Sequence, residues 1–109
     1  METQATRERP TDPFHAIADR NRRKILDLLL EGERSVQELV PYLGITVGGV
    51  SQHLQVLQSA GLVACRADGR RRIYRVEPSA LNTIHLWLAK YDRFWRSRMK
   101  KLEGYLEKD

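Results

Sequence analysis

In the stretch Val47–Ser59, five residues recur at steps that gather them on one side of a helix: Gly48, Ser51, Gln52, Gln55 and Ser59, with Gly49 and His53 at the margins. Hydroxyl and amide side chains both donate and accept hydrogen bonds, which is what reading base edges in a major groove requires. Having no side chains, Gly48 and Gly49 let backbone approach a base or phosphate closely, at about 1 kcal/mol each against alanine in a helix. Taken alone, the stretch fits equally well a polar-surfaced helix of some other small domain. Further on, positions 66–75 hold five arginines (66, 70, 71, 72, 75) and one aspartate. A guanidinium stays charged and grips phosphate bidentately, so Arg70, Arg71 and Arg72 suit flanking phosphates or a minor groove.

Other chemistries find little support. His15, His53 and His85 are widely separated and Cys65 is the only cysteine, whereas a zinc site needs about four converging ligands. There is no glycine-rich phosphate loop, no paired carboxylates and no nucleophile beside a placed base. Ser51 and His53, two apart on a helix, do not face each other. The sequence therefore predicts no catalytic residue, no metal site and no cofactor. A net charge of +5 suggests a polyanionic partner, though charge alone fits a membrane surface almost as well. No run reaches the roughly 18 apolar residues of a membrane span, and no signal segment opens the chain. A lone cysteine fits a reducing cytoplasm.

The elements that must position these residues are legible on either side. Val47, Val50, Leu54 and Leu57 form an apolar stripe opposite the polar face, Thr46 is the expected N-cap, and Gly61 closes the helix with Leu62 folding back. A preceding helix opens on the capping box Ser35-Val36-Gln37-Glu38, buries Val36, Leu39, Val40 and Leu43, and ends at Gly44. Pro41 within it predicts a kinked or shortened helix. Helix, glycine-containing turn, helix is a helix-turn-helix. Next, Val63-Ala64-Cys65-Arg66-Ala67 and Arg72-Ile73-Tyr74-Arg75-Val76 read as strands about an Asp68-Gly69 turn, making a basic wing.

Upstream, positions 1–11 lack apolar periodicity and read as a flexible arm whose Arg7 and Arg9 are solvated. Order is expected from Asp12-Pro13, an N-cap and first-turn proline, with Phe14, Ile17 and Ala18 on one buried edge. Asp19 caps a central buried helix over Arg20–Glu31 carrying Ile25, Leu26, Leu28, Leu29 and Leu30. Its basic start (Arg20, Arg22, Arg23, Lys24) is unfavourable to the helix dipole and is read as solvated rather than phosphate-facing. Downstream of Pro78 a helix over about 79–107 would exceed about 40 Å. Leu81, Ile84, Leu88, Tyr91, Trp95, Met99, Leu102 and Leu106 stripe it, widened by Trp87, Phe94 and Tyr105. So broad an apolar face asks for a twin across a two-fold axis. The fold class is thus mainly α with a small β-hairpin: a winged helix-turn-helix over 12–109 with N- and C-terminal dimerisation helices, Phe14 joining the stripe residues Leu81 to Leu102 at the interface.

The chain resembles the arsenic-repressor (ArsR/SmtB) family of bacterial repressors. The likeness rests on Ile25-Leu26-Asp27-Leu28-Leu29, Ser35-Val36-Gln37-Glu38-Leu39, Val50-Ser51-Gln52-His53-Leu54-Gln55-Val56-Leu57, Ala60-Gly61-Leu62-Val63 and Gly69-Arg70-Arg71-Arg72-Ile73-Tyr74. It implies a homodimer whose Val47–Ser59 helix enters the major groove of double-stranded DNA, with Thr46, Gly48, Gly49, Ser51, Gln52, His53, Gln55, Arg70, Arg71 and Arg72 at the duplex. Family metal sites lack their residues here. Val40, Pro41 and Tyr42 stand where a Cys-Val-Cys would, and the last helix has His85 without a paired His or Asp. The Trp87-Leu88…Tyr91…Phe94-Trp95 run looks like a subgroup without those sites and without a known small-molecule ligand. Two alternatives stay open: a winged-helix protein-interaction module without specific DNA binding, and a repressor induced by a metal or by an oxidant through Cys65.

Overall fold

The computed structural model describes residues 10–107. Helix α1 (Pro13–Ile17) starts where Asp12 accepts from the Phe14 amide at 3.0 Å. Helix α2 (Arg20–Glu31) is capped by Asp19, which accepts from the amides of Asn21 (2.8 Å) and Arg22 (3.1 Å). Strand β1 is the dipeptide Arg34–Ser35, and helix α3 spans Val36–Leu43. Both halves of the capping box form: the Ser35 amide donates to Glu38 Oε1 at 2.8 Å, and the Glu38 amide to Ser35 Oγ at 3.3 Å. Gly44 leaves the helix left-handed, with φ 66°.

Helix α4 (Val47–Ser59) begins with Thr46 Oγ1 accepting from the Gly49 amide at 3.0 Å. It ends in a Schellman motif: the Gly61 amide donates to Gln58 O at 3.0 Å and the Leu62 amide to Leu57 O at 2.9 Å, with φ 77° at Gly61. Strands β2 (Val63–Asp68) and β3 (Arg71–Val76) make the wing. Asp68 pairs with Arg71, so Gly69-Arg70 form the turn, one residue later than the Asp68-Gly69 expected, with Gly69 at φ 63°. The hairpin is not alone: β1 pairs with β3 (Arg34 with Tyr74, Ser35 with Ile73), giving an antiparallel sheet in the order β1-β3-β2.

One core holds these pieces together. Ile25 of α2, Leu39 of α3, Val50, Leu54 and Leu57 of α4, and Leu62 have no accessible surface. At roughly 1.5–3 kcal/mol for each such side chain, they dominate the stabilisation of the domain. The core fastens α4 by three residues on one side and leaves its other side bare.

Several expectations need correction. Leu30 does not join the core; it is 78% exposed, because at ~100° per residue it lies about 140° round the helix from Ile25. Val47 sits on the stripe of α4 but in its first turn, and is half exposed. Pro41 does not shorten α3, which continues to Leu43; it stands in the second of two turns and removes a single intrahelical bond. The terminal helix is not continuous. It divides into α5 (Pro78–Ala89) and α6 (Asp92–Glu107). At the break, Lys90 and Tyr91 donate three residues back, to Trp87 O (3.3 Å) and Leu88 O (2.9 Å), and α6 restarts with Asp92 in its first turn, paired to Arg96 at 3.0 Å. No proline or glycine stands there; the tightened turn and an acid at the positive end of a new helix dipole accompany the break.

Only the start of this arm docks on the domain. Ile84, expected at a dimer surface, is buried in the chain's own core, while α6 has no buried residue. The radius of gyration is 18.4 Å, against roughly 13 Å for a compact chain of this length. Phe14 meets Trp87 edge-on at 5.5 Å, and Trp87 meets Tyr91 at 5.3 Å.

Candidate nucleic-acid interface

With Val50, Leu54 and Leu57 turned inward, the helix period leaves Gly48, Gln52 and Gln55 exposed and Gly49, Ser51 and His53 half-buried. The Thr46 hydroxyl is spent as the N-cap. A groove of about 690 Å³ brings Val47 and Ser51 of α4 together with Arg70, Arg71 and Arg72 of the wing and with Gln37 and Glu38 of α3. Gln52 and Gln55 lie outside that groove, on the open face of the helix. The structure thus joins Ser51 to the three arginines and adds Gln37 and Glu38, which the sequence pattern marks only for helix capping. The cause is the pairing of Ser35 with Ile73, which sets the start of α3 beside the wing.

The glycines differ. A Cβ built on Gly48 would meet nothing closer than Thr46 Oγ1 at 4.0 Å, whereas one on Gly49 would press that oxygen at 3.3 Å. Nothing inside the domain requires position 48 to be bare, which is the property expected where something outside comes close.

The arginines also separate. Arg66 bonds Glu33 at 2.8 Å and Arg75 reaches Glu77 at 4.0 Å, both away from the wing tip. Arg71 lies 3.8 Å from Glu38. The Glu38 carboxyl is held below its ordinary range, first by the Ser35 amide and hydroxyl and then by Arg71 and Arg34. Arg70 and Arg72 have no ion pair among the described residues, so they carry the wing's uncompensated charge.

Two residues read as part of the polar surface are engaged elsewhere. Ser59 accepts from the amide and hydroxyl of Thr11 at 3.1 and 2.9 Å, so order begins before Asp12; the rest of the expected arm, up to residue 9 and including Arg7 and Arg9, lies outside the described residues. His53 faces Arg22, whose Nη1 is 3.3 Å from its Nδ1. In the basic start of α2, Arg20 and Lys24 are exposed, but Arg22 and Arg23 are not simply solvated. Arg22 donates to Ala16 O at 2.7 Å and Arg23 to Ile17 O at 2.9 Å, closing the carbonyl end of α1.

His15 and His85 are exposed, Cys65 is half-buried on β2 opposite Tyr74, and among the described residues no three His, Cys, Asp or Glu side chains gather as an ion site. Burial, and then Cys65, push the Tyr74 hydroxyl above its ordinary value. Among the described residues, no helix is long and apolar enough to cross a membrane.

A helix-turn-helix that keeps the polar side of its second helix bare beside an arginine-tipped hairpin defines a winged helix-turn-helix transcriptional regulator. The family described as "Bacterial regulatory protein, arsR family" matches residues 19–64, from the cap of α2 into β2. A helix-turn-helix-type transcriptional regulator of Mycobacterium tuberculosis is 38% identical over 103 residues, covering 94% of this chain and 91% of that one. Among solved structures, a possible transcriptional regulator for arsenical resistance superposes with TM-score 0.67 at 39% identity, over 77% of this chain and 84% of that one. The homodimeric winged helix-turn-helix DNA-binding domain of a possible ArsR-family regulator from Mycobacterium bovis gives 0.59 at 35% identity, over 72% and 73%. The chain belongs to the arsR family of bacterial regulatory proteins.

Proposed function

We propose that this regulator acts as a cytoplasmic homodimer repressing transcription at a palindromic operator. Two copies clasp through α5 and α6, with Phe14, Leu81, Leu88, Tyr91, Trp95, Met99 and Leu102 between them. Their α4 helices then enter successive major grooves about 34 Å apart. Ser51, Gln52 and Gln55 read bases, Thr46, Gly48, Gly49 and His53 lie close to the duplex, and Arg70, Arg71 and Arg72 hold flanking phosphates or the minor groove. This reading needs no metal, cofactor or small-molecule ligand. The observation that carries it is α4 itself, anchored by three fully buried residues while its glutamines stay exposed beside a basic wing. The homodimeric relative supports the two-fold arrangement.

Footprinting on the promoter upstream of the chain's own gene, followed by shift assays against random duplex, tests it. The expected result is a symmetric footprint and site-selective, salt-dependent retention. Replacing Gln52 and Gln55 should relax sequence preference. Neutralising the wing arginines should weaken all DNA alike and flatten the salt slope by about 0.9 for each phosphate no longer neutralised. Equal loss on specific and random DNA in the glutamine variant would contradict this division of roles.

A further inference from the structure

We propose that Arg22 is a positioning residue for α4, gripping His53 through an acceptor nitrogen so that operator preference weakens when that imidazole gains a proton. The geometry is a three-way junction. Arg22 donates through Nε to Ala16 O at 2.7 Å and through Nη2 to His15 O at 3.3 Å, and its Nη1 lies 3.3 Å from His53 Nδ1. A guanidinium has five donors and no acceptor, so in this contact Nδ1 must accept. The proposed contact thus requires a ring whose proton sits on Nε2.

The junction matters because of what it connects. On one side α1 carries Phe14, packed on Trp87 at the root of the terminal arm. On the other, its last carbonyls are joined through one guanidinium to the middle of α4. A second tether, Thr11 to Ser59, holds the end of the same helix. α1 is thus the piece through which the arm and α4 keep a fixed relation.

A histidine changes charge between about pH 5 and 8. Protonating Nδ1 removes the acceptor and sets a cation against the guanidinium, so the hydrogen bond can form only with the unprotonated nitrogen. The charged groups facing His53 are Arg22 and Asp19, the cap of α2. α4 carries no other ionisable side chain, and α1 offers the junction only carbonyls, its own His15 being exposed. Asp19 is kept anionic by the amides of Arg22 and Asn21; it tempers the repulsion without restoring the acceptor. A cationic ring on the DNA-facing helix would by itself raise affinity for any duplex. The expected signature is therefore a loss of preference rather than a loss of binding.

This inference rests on α4 as the reading helix, and the experiment separates the two. A duplex selected by the native full-length protein from a random pool at about pH 8 is compared with random duplex at about pH 8 and about pH 5.5. The preference should fall about tenfold, on the scale of one charge-assisted hydrogen bond. In His53→Asn, whose Oδ1 can accept where Nδ1 did but does not titrate, whatever preference the variant shows should be the same at both pH values. In Arg22→Gln it should be reduced at both. Nitrogen-15 spectra of the free native protein at the higher pH should place the imidazole proton on Nε2. A native preference that ignores pH, a pH dependence that survives in His53→Asn, or a proton on Nδ1 overturns the inference. Absence of any site preference in the native protein, with the Nε2 tautomer in place, overturns the reading of α4 and this inference with it.

Discussion

Helices α4 and α6 are both amphipathic and of similar length, 13 and 16 residues, yet they end in opposite situations. α4 buries Val50, Leu54 and Leu57 completely; α6 buries nothing and shows solvent Phe94, Trp95, Met99, Leu102, Tyr105 and Leu106. Among the described residues the first apolar face has a partner and the second has none. So large an exposed apolar patch is characteristic of an interaction surface. The polar face of α4 and the apolar face of α6 contrast accordingly: a helix fixed from behind keeps its chemistry in front, and a helix left bare is the one we propose to meet a second copy.

The contrast can be broken most forcefully at its fixed end. Leu54→Ala should lower the unfolding free energy by about 2–5 kcal/mol, measured by denaturant titration. Trp95→Asp should act on association instead. Sedimentation at micromolar concentration should show monomer, and the midpoint of thermal unfolding should lose its dependence on protein concentration. A dimer unaffected by Trp95→Asp would remove α6 from the interface.

Gly48→Ala sharpens the comparison on the other face. With open space at that Cβ, the substitution should stabilise the helix by up to about 1 kcal/mol while weakening retention of the selected duplex in shift assays. Stability and binding rising together would deny close approach at residue 48. The smallest effect concerns Glu38. Its carboxyl is depressed in the folded chain, so the stabilisation it contributes is present above the ordinary carboxylate range and is lost as pH falls through the lower folded value. Glu38→Gln, which can still cap at this position, should flatten that acid limb in thermal melts taken across the acidic range.

Local chemistry was the legible part. Ser35 with Glu38, Asp12 before Pro13, Thr46 before two glycines and Gly61 before Leu62 each announced a helix end, and each forms as its residues required. What escaped were contacts between segments distant in the chain. Ser59 looks like any exposed serine until Thr11 is seen beside it. Arg22 looks solvated until α1 turns back and offers its carbonyls. Gln37 joins the groove because β1 pairs with β3, and a two-residue strand has no pattern of its own to announce it.

By itself, then, the sequence determined the elements and their faces, because capping, helix period and turn glycines act over three or four residues. It also made dimerisation an expectation, since an aromatic stripe this wide exceeds what one small core can cover. Only the tertiary structure decided which stripe residues the chain keeps for itself, Ile84 inward and Trp95 outward. It alone showed that the terminal rod breaks at Lys90-Tyr91 and that three of the five hairpin-region arginines lie within 4.0 Å of a glutamate. Those outcomes depend on packing and pairing between separate elements, where the energy lies in geometry that no local pattern encodes.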